Sequence, residues 1–431
     1  MTAEVMPQAS HDFERTVSGV ATSTHPKPFS YPSIAPRPTE ADKRLHSKDG
    51  LTMGRTQKLD ALTGLRFFAA ATIVVHHVRG TLGVPAEFFA NSDFSQGVSI
   101  FFVLSGFILI FANRELKSWA ETGAFYVKRI ARIWPSHFVV LMAALAIGFP
   151  IVQGPFLANL ALIQAWNPVG DYFFSYNAVS WSISTELGFY LAFPLLLYRF
   201  ERTWFWKLPL TLIIALSMPA YASWIDAPFY GAGVTGPVVQ GFVMTSPLAR
   251  LFEFTLGMSA GHLWVKHLSG RHIPSLVAWI AEPLAAALLF YDVTIFLPRI
   301  LQMLPETSAF SFWAIMAAVP AIPSALAIIV LASGKGPISW LLSRRPIVYL
   351  GEISFAIYLT HQLIQTWFRQ HEASFAGLPE GALIALYVCT VAACSVALYH
   401  VVERPCQRAA KAAIGYSRRI PRTAAADAPT A

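Results

Sequence analysis

Runs of about twenty apolar residues recur along most of this chain, and they dictate the environment in which it can fold. A bilayer core of roughly 30 Å takes about 20 apolar residues per helix, and within it only helices or closed barrels satisfy the backbone. The runs lie near 59–79, 97–115, 134–152, 178–199, 208–225, 247–265, 276–297, 309–333, 346–367 and 381–402. Charge is correspondingly scarce, at 13% of 431 residues, where a soluble domain carries about 25%. The expected fold class is all-α, a polytopic transmembrane helix bundle of about ten spans. A weaker apolar stretch, Phe156–Trp166, reads as re-entrant or interfacial, because counting it as a span would invert the charge pattern after it.

The net charge of +8 is distributed as a topology signal and not as a nucleic-acid surface. Lys58 precedes the first run; Arg114, Lys117, Lys128, Arg129 and Arg132 separate the second and third. Arg199, Arg202 and Lys207 follow the fourth, Lys266 and Arg271 the sixth, Lys335, Arg344 and Arg345 the eighth, and Arg404, Arg408 and Lys411 the tenth. The opposite side has few basic residues, Arg79, Arg299 and Arg369 among them, so the positive-inside rule places both termini in the cytoplasm. Residues 1–57, rich in Pro, Ser, Thr, His and charge, read as a disordered cytoplasmic tail. A transmembrane domain then occupies 58–405, and 406–431 reads as a second cytoplasmic tail. Cys389, Cys394 and Cys406 form neither a metal framework nor an oxidised scaffold, and no internal repeat suggests an inverted-repeat transporter. Gly231, Gly233 and Gly236 fit a dinucleotide fingerprint, but no strand precedes them.

Ionisable groups inside spans are costly, and each is a functional candidate by default. Arg66 and His77 stand eleven residues apart in the first span; they share a helix face about 16 Å apart along the axis. The plainer reading is a snorkelling arginine and an interfacial histidine. Ser105-Gly106 in the second span is a small step that permits close helix approach. Arg129 and Arg132, at i and i+3 on the helix entering the third span, match a phosphate clamp and equally a positive-inside cluster. Glu186, with Ser182 one turn above it, calls for a partner from another span, an arginine or histidine being the natural choice. Arg250 and Glu253 form an i,i+3 pair ahead of Gly257 and Gly261, a small-residue packing pattern. Gly351, Ser354, Tyr358 and His361 make one stripe of the ninth span, which should face the bundle interior.

Taken in order, these segments resemble the acyltransferase-3 family of integral membrane acyltransferases. The resemblance rests on Arg66-x10-His77, Phe102-Val103-Leu104-Ser105-Gly106-Phe107, Arg129-x-x-Arg132, and Ser180-Trp181-Ser182 leading to Glu186. It continues through Arg250 with Glu253 and Gly257, Gly351-x-x-Ser354 with Tyr358 and His361, and Val402-Glu403-Arg404-Pro405. Two departures stand out: Thr63-Gly64 replaces the family's common Arg-Gly, and no hydrolase-like domain follows the last span.

The resemblance implies an enzyme that acylates cell-surface carbohydrates, glycolipids or macrolides in a bacterial plasma membrane. It implies acyl-CoA, by default acetyl-CoA, as donor substrate, with no bound cofactor and no metal. His77 would be the essential histidine, with Arg66 and Glu186 beside it to fix or tune its imidazole. Arg129 and Arg132, with Ser105, would engage the donor. Tyr358, Ser182, Arg250, Glu253 and His361 are further candidates. The rival class is a proton-coupled transporter using the same buried ionisable groups as a relay.

Overall fold

The computed structural model describes residues 59–82, 84–85, 92, 94–303 and 308–417. The tail expected over residues 1–57 lies outside them. In chain order the main helices are α1 (Asp60–Val78), α2 (Gly97–Ala112), α3 (Trp119–Ala146), α4 (Gln153–Leu160), α5 (Trp181–Leu197), α6 (Phe200–Trp224) and α7 (Pro247–His267). There follow α8 (Ser275–Ile300), α9 (Ala309–Leu331), α10 (Pro337–Leu342), α11 (Arg345–Glu352), α12 (Ser354–Gln370), α13 (Glu380–Leu398) and α14 (Arg404–Ser417). Among the described residues no strand forms beyond one isolated bridge between Val169 and Pro237, so the fold is all-α.

Among the described residues six helices are long and apolar enough to cross a bilayer: α1, α2 with its preceding turn, α6, α8, α9 and α13 with its continuation. The bent pair α11 and α12 makes a seventh if it is one span. Helices stand at the other three expected positions too, but they are marginal as spans. Of these, α5 has only 17 residues, while α3 carries Lys128, Arg129 and Arg132, and α7 carries Arg250 and Glu253. Large apolar side chains such as Leu195, Ile213, Leu276 and Leu284 point outward from the bundle. That surface would promote aggregation in water and suits a multi-pass membrane protein facing lipid.

Three boundaries differ from the sequence reading. The basic segment ahead of the third span is already helical: Ser118 accepts the Glu121 N–H at 3.2 Å, and the Glu121 carboxylate accepts the Lys117 N–H at 2.7 Å. This cap starts α3 early, so Arg129 and Arg132 sit inside a 28-residue helix and not at its mouth. The expected ninth span is broken between Glu352 and Ser354 by a 60° bend. At the break the Ser354 hydroxyl donates to the Gly351 carbonyl at 2.8 Å, a local bond that competes with helix continuation. Third, the chain beyond Glu403 stays helical as α14 and packs on α3, where a tail was expected over 406–431; residues 418–431 of it lie outside the described residues.

Phe156–Trp166 does not cross. The eight residues of α4 span only about 12 Å, and the chain turns at Leu162 in a left-handed conformation. It is pinned to the start of α5: Gln164 donates to the Ser180 hydroxyl at 3.2 Å, and the Trp166 indole to the Ser184 carbonyl at 3.1 Å.

Close backbone approach sets the positions of the helices that carry the site. A Cβ at Gly106 would collide with the Phe254 carbonyl, and one at Gly257 with the Val103 carbonyl, so α2 and α7 pack backbone against backbone. Likewise Gly351 lies on the Thr63 carbonyl and Gly64 on that of Leu342, which clamps α1 between α10 and α11. Glu282 of α8 is fully buried and accepts the Gly336 and Ser339 N–H groups at 2.8 Å each, satisfying the exposed start of α10. Lys207, read from sequence as a topology charge, is instead buried and donates to the Leu196 and Tyr198 carbonyls at 2.8 and 2.5 Å, closing the end of α5.

Candidate active site

Residues from five helices, α1, α2, α3, α5 and α12, with the segment ahead of α5, line two hollows. The first is a cavity of about 280 Å³ lined by Arg66, Ser105, Arg129, Arg132, Ser182, Glu186, Tyr190 and Tyr358, with an apolar wall that includes Leu62, Phe101, Leu104 and Ile108. Three guanidinium groups and one carboxylate thus share a small space within an apolar bundle. Arg129 stacks over the rings of Phe125 and Tyr190 at 5.8 and 5.9 Å, and its buried Nε has no hydrogen-bond partner. Buried donors without acceptors are rare and costly, so this nitrogen is suited to an anion.

Glu186 meets hydroxyls, not the arginine or histidine anticipated for it. Its Oε1 accepts from Tyr190 at 2.6 Å and from Ser105 at 3.2 Å. Among the described residues no arginine nitrogen comes within ion-pair distance of it, although Arg66, Arg129 and Arg132 all feel its charge across the cavity. Glu403, in a wide helical turn (Tyr399–Glu403) linking α13 to α14, acts electrostatically on Arg132 and Arg66. One of its buried oxygens is unpartnered.

The second hollow is a cleft of about 290 Å³ lined by His77, Phe174, Ala178, Val179, Trp181 and Gln362. His77 therefore does not share the arginine cavity, and neither Arg66 nor Glu186 touches its ring. Three turns of α1 separate Arg66 from His77, and the helix stays intact between them. The side-chain neighbour of His77 is His361, whose Nε2 lies 3.3 Å from the His77 Nδ1. His77 Nδ1 also faces the Ile73 carbonyl at 2.9 Å. Gln365 holds the backbone there, donating to the His77 carbonyl at 2.6 Å.

Tyr358 and the start of α5 divide the two hollows. The Tyr358 and Ser182 hydroxyls, which line the cavity, lie 2.7 Å apart. Tyr358 donates to the carbonyl of Val179, a residue of the cleft, at 2.9 Å. On its other side the Tyr358 carbonyl lies 2.7 Å from the His361 Nδ1.

Of the sequence-derived candidates, Arg66, Arg129, Arg132, Ser105, Glu186, Ser182 and Tyr358 meet in the cavity, while His77 lines the cleft with the buried His361 against it. Arg250 and Glu253 stand apart from both, as a buried pair. Arg250 Nε is 2.5 Å and Nη2 3.0 Å from the two carboxylate oxygens, and Nη2 also donates to Ser99 at 3.1 Å. The guanidinium lies over the Phe102 ring at 5.1 Å, so this pair braces the wall behind the cavity. Two residues went unread from sequence. Tyr190 stands one turn after Glu186 and was within reach of an i,i+4 argument; Glu403, though in the quoted motif, had no visible partner.

Comparison with known proteins gives the same class. A family model described as an acyltransferase domain matches residues 59–400. Acyltransferase MdmB of Streptomyces mycarofaciens is 30% identical over 393 residues, 82% of this chain and 93% of that protein. Nodulation protein 10 of Rhizobium leguminosarum bv. viciae is 27% identical, covering 70% of this chain and 81% of its own length. A putative peptidoglycan O-acetyltransferase of Bacillus subtilis, YrhL, is 25% identical over 80% of this chain and 54% of its own length. No solved structure matches. With three guanidinium groups on one cavity beside a histidine cleft, and a family match over most of its length, the chain belongs to the acyltransferase-3 family of membrane acyltransferases.

Proposed function

We propose that this protein moves an acyl group, acetyl in the first instance, from acyl-CoA to a hydroxyl of a cell-surface carbohydrate or glycolipid. It would do so as a ten-span protein of a bacterial plasma membrane with both termini cytoplasmic. The observation that carries the reading is the meeting of Arg66, Arg129 and Arg132 around one partly apolar cavity. Guanidinium forks match phosphate oxygens and remain charged when desolvated. A donor with a phosphorylated nucleotide end and a slender acyl-bearing arm needs both the cations and the apolar wall. The charge bias of the loops supports entry of that donor from the cytoplasm.

His77 would act as general base at the far side of the Tyr358 and Ser182 pair. A sugar hydroxyl is a poor nucleophile, and removal of its proton during attack contributes about 10²–10⁴-fold. In the balanced reaction His77 takes the hydroxyl proton as oxygen attacks the thioester carbonyl. The tetrahedral adduct then expels the CoA thiolate, which recovers the proton, leaving an ester and free thiol.

Mass spectrometry of surface glycans and glycolipids from cells with and without the protein tests this. A mass increment present only with the protein, and dependent on Arg129 and Arg132, is expected. An acylated small molecule with unchanged glycans would move the acceptor to the secondary-metabolite class. Solute flux without any consumption of acyl-CoA would replace the enzyme with a transporter.

A further inference from the structure

His77 at the cleft and the buried His361 beside it both face backbone carbonyls, and carbonyls accept but never donate. His361 Nδ1 faces the Tyr358 carbonyl at 2.7 Å and the Ile357 carbonyl at 3.3 Å, so it carries hydrogen. In the neutral ring the His361 Nε2 is then a lone pair. That lone pair points at the His77 Nδ1, 3.3 Å away. His77 Nδ1 itself faces the Ile73 carbonyl at 2.9 Å and must likewise carry hydrogen. The reverse arrangement, with His361 Nε2 donating, would turn the bare His77 Nδ1 against the Ile73 oxygen. One tautomer of each ring is therefore compatible with every contact: hydrogen on Nδ1 of both, that of His77 being shared between the Ile73 oxygen and the His361 Nε2.

The consequence falls on the other nitrogen of His77. With hydrogen fixed on Nδ1, the Nε2 is the free base, and no residue among those described bonds to it. His77 lines the cleft, so the lone pair is available to a substrate there. When His77 gains a proton, its Nδ1–H bond to His361 strengthens, because the donor is then cationic. His361 can therefore do two things: hold the neutral base in its working tautomer, and accept from the imidazolium that forms.

The surroundings keep this pair in place. His361 is wholly buried, and the Tyr387 hydroxyl donates to its carbonyl at 3.1 Å. Gln365, one turn further along α12, donates to the His77 carbonyl and to the Thr81 hydroxyl, at 2.6 and 2.8 Å. Consequently α12 grips the end of α1 by backbone and side chain together. The ring of His76 stands edge-on to that of His77 at 5.3 Å, and its Nδ1 lies 3.2 Å from an Arg79 guanidinium nitrogen.

We infer that His361 is the positioning residue of His77, a neutral imidazole in the place where many hydrolases and transferases use a carboxylate. The inference rests on the reading of His77 as general base. A neutral partner suits this depth in the bundle, because a carboxylate there would add a second buried charge.

Three variants in membrane vesicles, with acetyl-CoA as donor and the endogenous membrane acceptor, test it by release of free CoA. His361→Phe keeps the ring and removes the acceptor; kcat is expected to fall about 100-fold with KM for acetyl-CoA unchanged. His361→Asn, which keeps a donor for the Tyr358 carbonyl and cannot reach His77, should fall with it. His361→Gln sets an amide oxygen near the former Nε2 and should recover to within about tenfold of wild type. CoA binding by all three, measured in detergent by calorimetry, should match wild type, since His361 does not line the arginine cavity. Full activity of His361→Phe overturns the inference, as does equal loss in Gln and Phe variants that bind CoA normally. If instead His77→Ala retains full activity, the general-base reading falls first and this inference with it.

Discussion

The hydroxyls of Ser182 and Tyr358 meet at 2.7 Å between α5 and α12, at the partition separating the arginine cavity from the His77 cleft. On the proposed function, an acyl group held at the arginines passes this pair to reach His77. Tyr358→Phe removes one hydroxyl from a buried network and leaves the Val179 carbonyl with only Ser182. A loss of about 1 kcal/mol is expected from a net hydrogen bond. Thermal unfolding in detergent measures it, and CoA affinity should stay within about twofold because Arg66, Arg129 and Arg132 are untouched.

Arg129 and Arg132 are expected to act on donor affinity and not on the chemical step. Removal of a charge-assisted bond to phosphate costs about 1.5–3 kcal/mol. Each Ala variant should therefore raise the CoA Kd roughly 10- to 100-fold in a calorimetric titration. Arg132→Lys should recover little, because an ammonium lacks the planar fork.

Glu186 places a negative charge among the three arginines while accepting from Tyr190 and Ser105. If phosphates enter that cavity, the carboxylate opposes them. Glu186→Gln keeps an acceptor for both hydroxyls, so CoA should bind the variant at least as tightly as wild type, and a few-fold tighter at low salt. Weaker binding at every ionic strength would contradict this arrangement of the cavity.

Arg250 and Glu253 should behave as structure. Breaking a buried pair by removing one partner strands a charge and costs about 3–5 kcal/mol. Glu253→Leu is therefore expected to lower the melting temperature sharply. The double variant Arg250→Met, Glu253→Leu should regain much of the loss, and the fraction that folds should keep its KM for acetyl-CoA.

What the sequence disclosed and what it hid follow from range. Hydrophobic period and small-residue spacing are local, so the helices appeared in order, and Gly257 and Gly261 were legible as packing positions. The i,i+3 spacing of Arg250 and Glu253 likewise announced their pair. Ser118 with Glu121 was a readable cap for α3, but the apolar run beginning near Trp134 concealed it. The break at Ile353 was hidden because Gly351 faces α1, a contact 288 residues away in sequence from Thr63. Range also explains the site. Arg66, Arg129 and Arg132 lie on α1 and α3, and nothing in either helix reports that their side chains converge. The helical distance from Arg66 to His77 was already visible, and it argued against a direct contact between them more strongly than the shared face argued for one. Glu186 took hydroxyl partners because Tyr190 is one turn away on its own helix and α2 brings Ser105 close.

The account stands most directly on His77. Acyl transfer from radiolabelled acetyl-CoA into membrane glycans, compared between wild type and His77→Ala inserted at equal levels, is the measurement that decides it. Loss of at least about 100-fold in kcat with an unchanged KM for acetyl-CoA is predicted. Undiminished transfer by His77→Ala would contradict the account, leaving the arginine cavity without its base.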